Sequence, residues 1–317
     1  MQKLLLALFI TTAIVYGGSV VSVSALTISP VKLELEADPG QTIGGVFELH
    51  NEEGNARTLY VSYENFEPSG DLGTPRFVGR DSGLATWMTA TPELVIEPDK
   101  RVSVPYTITV PADAKPGGYF AAIFYGGQNP NAVEGGEVAI GGKLGLLVLL
   151  RVRGDITEEG GINTFGTKDG SRFFTSLPIS FGTQMTNRGG DRIVPRGSLS
   201  VTNLFGMEAA RLEVNTNAGS ILPNSSRTFT EVWQGSDMST STSFMAMVGR
   251  QWADFHFGLY RAKAELVWGI DGNTSTATFW FLILPWQLLS ITFVLLIGLW
   301  FALRSYNRLI IARAKRA

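Results

Sequence analysis

Apolar and polar residues alternate with a period of two over long stretches of this chain. Val31, Leu33 and Leu35 interleave with Lys32, Glu34 and Glu36. Leu59, Val61 and Tyr63 interleave with Tyr60 and Ser62, and Val102 to Val110 repeats the pattern over nine residues. Successive side chains of a strand point to opposite faces, so this spacing demands half-buried antiparallel strands. Turn-forming groups separate the runs: Asp38-Pro39-Gly40, Asn51 to Asn55, Glu97-Pro98-Asp99 and Pro116-Gly117-Gly118. Tyr119 to Tyr125 and Leu144 to Val152 are apolar on both faces and are expected as central strands. About seven strands from Thr27 to Arg153 are spaced as in an immunoglobulin-like sandwich.

A second series follows, in Leu177–Thr186, Gly197–Asn203, Arg211–Thr216, Arg227–Trp233, Phe257–Trp268 and Thr274–Ile283. The fold class expected is therefore mostly β: two tandem immunoglobulin-like β-sandwiches, residues 26–153 and 177–283, and one C-terminal transmembrane helix. The Gly-rich polar stretch 154–176 reads as a junction, with an extended strand crossing it as an option. An insertion near 235–254 stands out. Phe244, Met245, Met247, Val248 and Trp252 share one face if it is helical, and a long loop is the alternative. The two series echo each other weakly, with Phe47 to Asn51 and Met185 to Gly190 each leading into a polar turn.

The ends set the compartment. Lys3, the apolar run Leu4 to Val15 and the small residues Val23-Ser24-Ala25 read as a signal peptide over residues 1–25. Phe279 to Leu303 contains no charged residue, and about 20 apolar residues cross a bilayer. Residues 284–303 are the expected span. Trp280, Trp286 and Trp300 lie near its ends, where indoles favour the headgroup level. The tail 304–317 holds Arg304, Arg308, Arg313, Lys315 and Arg316 and no acid, which places it on the cytoplasmic side of a cell membrane with the N-terminal part outside.

The formal charge of −2 averages unlike parts. Setting aside Lys3 and the five tail cations leaves 20 Lys+Arg against 28 Asp+Glu, near −8 for the exported part. An acidic ectodomain argues against nucleic acid, whose phosphates require Lys and Arg. With Cys 0, disulfides, zinc–thiolate and iron–sulfur sites and a Cys nucleophile are excluded. With His 2, a Ser-His-Asp triad would have to use His50 or His256.

The first domain resembles the N-terminal part of the WxL-interacting cell-surface family of Gram-positive bacteria. The resemblance is carried by Ile28-Ser29-Pro30 leading into Lys32 to Glu36, the turn Pro39-Gly40-Gln41, and a strand ending at His50-Asn51. It continues in Leu94-Val95-Ile96-Glu97-Pro98 before Val102-Ser103-Val104, and in Val110-Pro111-Ala112 before Pro116-Gly117-Gly118-Tyr119. The layout of signal, two β-domains, helix and basic tail is similar too. It implies a peptidoglycan-binding-type immunoglobulin-like domain, and partners among bacterial surface proteins or peptidoglycan. The acidic ectodomain and numerous aromatics depart from the family pattern.

Chemistry is sparse. The pairs Glu52-Glu53 and Glu158-Glu159 read as solvated loops, since adjacent strand residues face opposite ways. Asp169-Gly170 and Asp271-Gly272-Asn273 are turn signals without the alternating acids of a calcium loop. The Gly pairs lack the Lys-Ser/Thr of a phosphate loop. No catalytic residue, metal ligand or cofactor is therefore expected, and the chain is not expected to be an enzyme. The candidate binding residues are Tyr60, Tyr63, Phe66 and Trp87, as an aromatic platform for sugars, and Met245, Met247 and Trp252, as an adaptable apolar patch for a protein. The competing readings are a sandwich core for the first group. For the second they are packing on its own sandwich, or contact with the membrane face.

The leading expectation is a non-catalytic single-pass surface protein that binds wall polymer or other surface proteins. The alternative is a membrane-anchored, chaperone-like assembly factor for exported proteins. That reading calls for a first-domain edge rich in β-branched residues and free of charge. An envelope enzyme with an unrecognised acid pair is the third.

Overall fold

The computed structural model describes residues 26–128, 142–236 and 243–314. The expected signal peptide 1–25 lies outside them. Eighteen strands and three helices are assigned among the described residues. They form two compact units, and each is described by itself. The first takes in residues up to 65, 79–114 and 120–150; the second takes in 66–78, 115–119 and everything from 151.

In the first unit, one sheet has the order β1 (Leu26–Ser29), β3 (Thr42–Asn51), β8 (Lys100–Thr109) and β6 (Met88–Ala90). In the other, β2 (Lys32–Ala37), β10 (Lys143–Val152), β9 (Gly117–Gly126) and β4 (Arg57–Ser69) lie in that order. There β7 (Glu93–Ile96) also pairs with β4. The expected central strands β9 and β10 do lie inside the sheet. Alternation in the sequence becomes alternation in burial: Val104, Tyr106 and Ile108 of β8 turn inward, and Ser103, Pro105 and Thr107 turn outward. Phe47, Tyr106 and Tyr125 meet in the core, with ring centroids 6.0–6.2 Å apart around Phe47.

The turns follow the residues that make them. Pro39 presets φ, Gly40 takes φ +80°, and Gln41 N–H closes onto Asp38 C=O at 3.0 Å. Asp99 (φ 56°) does the same after Pro98, where Lys100 N–H donates to Glu97 C=O. A one-turn helix, α1 (Leu84–Trp87), precedes β6.

The second unit packs a three-stranded sheet on a five-stranded one. The order in the first is β11 (Gly160–Thr167), β13 (Ile179–Asn187), β16 (Ser225–Trp233). In the second it is β12 (Phe173–Phe174), β18 (Asn273–Ile283), β17 (Gly258–Trp268), β14 (Arg196–Asn203), β15 (Glu208–Val214). β5 (Thr74–Phe77), paired with the end of β4, belongs to this unit. Phe281 centres the core, with Phe181, Tyr260 and Phe174 rings at 5.6–5.9 Å. The molecule is thus two immunoglobulin-like β-sandwiches and one C-terminal helix.

The expected junction 154–176 is corrected: it supplies β11 and β12 to the second sandwich. Its glycines mark close packing rather than a linker. A Cβ on Gly160 would lie 2.7 Å from Thr186 O, and one on Gly166 would meet the Phe279 ring at 3.3 Å. The insertion near 235–254 holds a helix, α2 (Phe244–Ala253), capped by Ser243 Oγ accepting from Ala246 N–H. Residues 237–242 of that insertion are outside the described ones. The final helix, α3 (Trp286–Ala314), is longer than the expected span.

Candidate functional site

The first feature with the geometry of a binding site opens on β4. Register pairs Tyr60 to Asn65 with Gly126 to Ala121 of β9 on one side. On the other side β7 pairs only as far as Tyr60. Beyond it, Val61 N–H donates to Pro92 C=O at 3.0 Å and Asn65 N–H to Gly79 C=O at 2.7 Å. Peptide groups alternate in direction along a strand, so the intervening Tyr63 peptide faces the same way, into a cleft. That cleft measures about 590 Å³ and is lined by Tyr60, Tyr63, Arg80, Thr89, Pro92 and Glu93, among others.

Arg80 sits over the Tyr63 ring, 4.7 Å from its centroid. No described carboxylate is ion-paired with it. The Tyr63 hydroxyl accepts from Ala90 N–H at 2.7 Å, and burial pushes its ionisation up from the ordinary phenol range, against the lowering effect of that bond and of Arg80. Asn65 braces the far side: its Nδ2 donates to Gly79 and Ser82 carbonyls and its Oδ1 accepts from Ala85 N–H.

The aromatic platform is corrected by this placement. Tyr63 and Phe66 are each only 7% exposed, and Phe66 stands edge-on to Phe77 at 6.1 Å. Three-residue spacing puts Tyr60 and Tyr63 on opposite strand faces. Of Tyr60, Tyr63 and Phe66 only Tyr60 is half-exposed, at the cleft; Trp87, half-buried, ends α1. The charge-free outer edge expected of a strand holder is also absent from β2, which ends its sheet. It carries Glu36 and a Lys32–Glu34 pair at 2.6 Å, and charge discourages edge pairing.

The second feature is the end of the second sandwich. Gln251, 1% exposed, donates to Gln287 Oε1 and accepts from Leu288 N–H at 2.9 Å, tying α2 to the first turn of α3. Met245 and Trp252 stand 68% and 76% exposed, whereas Met247 is half-buried with its sulfur against Arg250. From Thr292 to Ile311 every residue of α3 is exposed, and its stretch Trp286–Ile311 is long and apolar enough to cross a membrane. Only Leu284-Pro285 separates β18 from it.

The paired acids and the two histidines have the following contacts. Glu158 accepts from Ile270 N–H and Asn273 Nδ2; Glu159 pairs with Arg188 at 2.8 Å; Glu53 pairs with Arg57. His50 lies between Glu52 (3.1 Å) and Asp99 (3.6 Å), and His256 stands edge-on to Trp233 at 4.8 Å. Among the described residues no group of three or more His, Asp or Glu is placed to hold a metal. Sequence reasoning missed Arg80, Asn65 and the Gln251–Gln287 pair. Each acts through partners distant in the chain, and no local pattern marks them.

No protein-family model matches this chain, and no curated protein does. Solved structures are similar at low identity. The class 5 fimbriae chaperone CfaA is 11% identical, with 82% of this chain and all of that one covered, at a TM-score of 0.38. The CsuC–CsuE chaperone–adhesion subunit complex of Acinetobacter baumannii pili gives 10%, 80% and 97%, at 0.37. The E. coli chaperone DraB gives 12%, 81% and 97%, at 0.33.

Proposed function

We propose that this chain is a non-catalytic, single-pass membrane protein whose ectodomain binds other exported polypeptides, acting as an assembly or holding factor. One observation carries the reading: β4 leaves a peptide group facing an open cleft between Pro92 and Gly79. A bound segment in extended conformation would continue the sheet there by main-chain hydrogen bonds, which read shape rather than sequence. Arg80, at the cleft and without a carboxylate partner among the described residues, favours a segment carrying an acidic group. Anchoring is supported by α3. Arg304 follows Trp286 by eighteen helical steps, about 27 Å, with an indole at one end and a basic side chain at the other. The basic end faces the cytoplasm, and the sandwiches lie outside.

The test is photo-cross-linking in the intact membrane from a benzoyl-phenylalanine placed at Thr89, in the cleft, and at Val46, exposed elsewhere in the first unit. Exported proteins captured from position 89 and not from 46 are expected. Equal capture from both would sink the assignment of the cleft. Attachment of wall glycan from 89 would replace the polypeptide with a polymer.

A further inference from the structure

We propose that α2 and the strand ends beside it form a lipid-contact surface, seated in the headgroup layer of the membrane that α3 crosses. The inference rests on the anchoring of α3 argued above. It begins with position. Gln251 fastens α2 to Gln287 and Leu288, and Phe244 stands edge-on to Trp286 at 6.0 Å. Wherever the first turn of α3 enters the bilayer, α2 is held at that level.

The outward face of α2 fits such a place. Met245, Gly249 and Trp252 fall on one line, since seven residues make two turns, and no charged residue interrupts it. The chain then leaves the helix as an alternating run. Phe255, Phe257 and Leu259 point outward at 57%, 56% and 40% exposure, while His256 and Tyr260 turn in against Trp233.

The outer face of the β17–β18 hairpin is graded by polarity along its length. Nearest α3 it shows Leu259, Arg261 and Trp280, with Arg261 stacked over the Trp280 indole at 5.8 Å. Farther away it shows Lys263, Glu265, Thr278, Thr276 and Thr274, until Val267 and Ile270 at the far loop. Aromatics at one level with polar groups beyond is the profile of a surface crossing from lipid headgroups into water. Trp252, Trp280 and Trp286 are the indoles of that level. A protein partner would need no such gradient. Leu289 and Phe293, in the first two turns of α3, are exposed as well.

The chain has no cysteine, so single-cysteine reporters are unambiguous. The full chain would carry an environment-sensitive dye at Met245→Cys, Trp252→Cys or Phe257→Cys, in phosphatidylcholine–phosphatidylglycerol vesicles. Leu295→Cys on α3 reports the span, and Phe205→Cys, on the tip between β14 and β15, reports water. Positions 245, 252 and 257 should be quenched roughly threefold more by a headgroup-level nitroxide lipid than by one labelled at the chain end, and should resist iodide. Position 295 should show the opposite depth preference, and 205 should be quenched by iodide alone. Iodide quenching of 245 and 252 equal to that of 205, with 295 still lipid-quenched, overturns the surface and leaves the anchor standing. Absence of lipid quenching at 295 overturns both. Shielding of 245 and 252 from iodide and lipid alike means a protein covers the face, and overturns the lipid assignment.

Discussion

Asn51 at the end of β3 and Asn187 at the end of β13 are each fully buried, and they bond alike. In both, Oδ1 accepts from the N–H two residues on, Glu53 or Gly189. In both, Nδ2 donates to the carbonyl four residues on, Asn55 or Asp191, and to a second carbonyl across the sandwich, Ile96 or Ile221. The two sandwiches therefore close the same turn with the same plug. Their surfaces then diverge. The first opens a cleft of mixed polarity beside Arg80; the second gathers Trp252, Phe255, Phe257 and Trp280 at its helical end. A shared interior device with unshared surfaces shows that the fold and the contacts are set by separate residues.

That comparison breaks most readily at the plugs. Asn51→Leu strands four polar groups, counting a longer bond to Glu97 C=O, and Asn187→Leu strands three. Each should cost roughly 3–5 kcal/mol, summing penalties of about 1–3 kcal/mol per orphaned group that partly relax. Urea unfolding of the full chain in detergent measures both. Equal losses support the equivalence, and a loss at one site alone dissolves it. Next in size, Gln251→Ala should cost about 2 kcal/mol locally, because Gln287 and Leu288 N–H lose a buried partner. Amide exchange should speed up in α2 and leave β3 and β8 unchanged; equal acceleration in both sandwiches would contradict the local tie.

The sandwiches should also part in alkali. Burial raises the ionisation of Tyr63, Tyr106 and Tyr125 in the first and of Tyr260 in the second. A phenol held neutral in the fold gives its full stabilisation below its unfolded value, about 10, and loses it as pH climbs through the raised folded value. The first sandwich should therefore loosen first above pH ~10. Tyr125→Phe, which also removes the hydroxyl bond to Thr91 C=O, should narrow the gap. Exchange measured across that range would show the second sandwich opening first if the assignment is wrong. Smallest of all, Arg211→Ala breaks a fully exposed pair with Glu208 and should leave the unfolding midpoint unmoved.

Much of this was readable from spacing. Period two located the strands because one face of each is buried, and charge-free length located α3. The echo between Phe47–Asn51 and Met185–Gly190 was visible as letters, and its meaning is the Asn plug. The apolar residues of α2 were legible as one group, but not which of them face outward: Met245 and Trp252 stand exposed, whereas Met247 and Val248 are half-buried. Tyr63 and Phe66 were not, because an aromatic on an alternating strand reads the same whether its face is the core or a platform. The 154–176 glycines misled because composition does not distinguish a linker from a strand pressed against a carbonyl. Arg80 and Gln251 escaped entirely: the first matters through Tyr63, seventeen residues back, and the second through Gln287, thirty-six ahead.

The exit from β18 into α3 has a mechanical meaning. Ile283 is paired on one side with Gly258 and on the other with Phe174, and Leu284 N–H is still bound to Phe174 C=O at 2.8 Å. There is no stalk to swivel. The second sandwich is mounted like a bracket rather than hung on a tether, so a tilt of α3 must tip the sandwich with it.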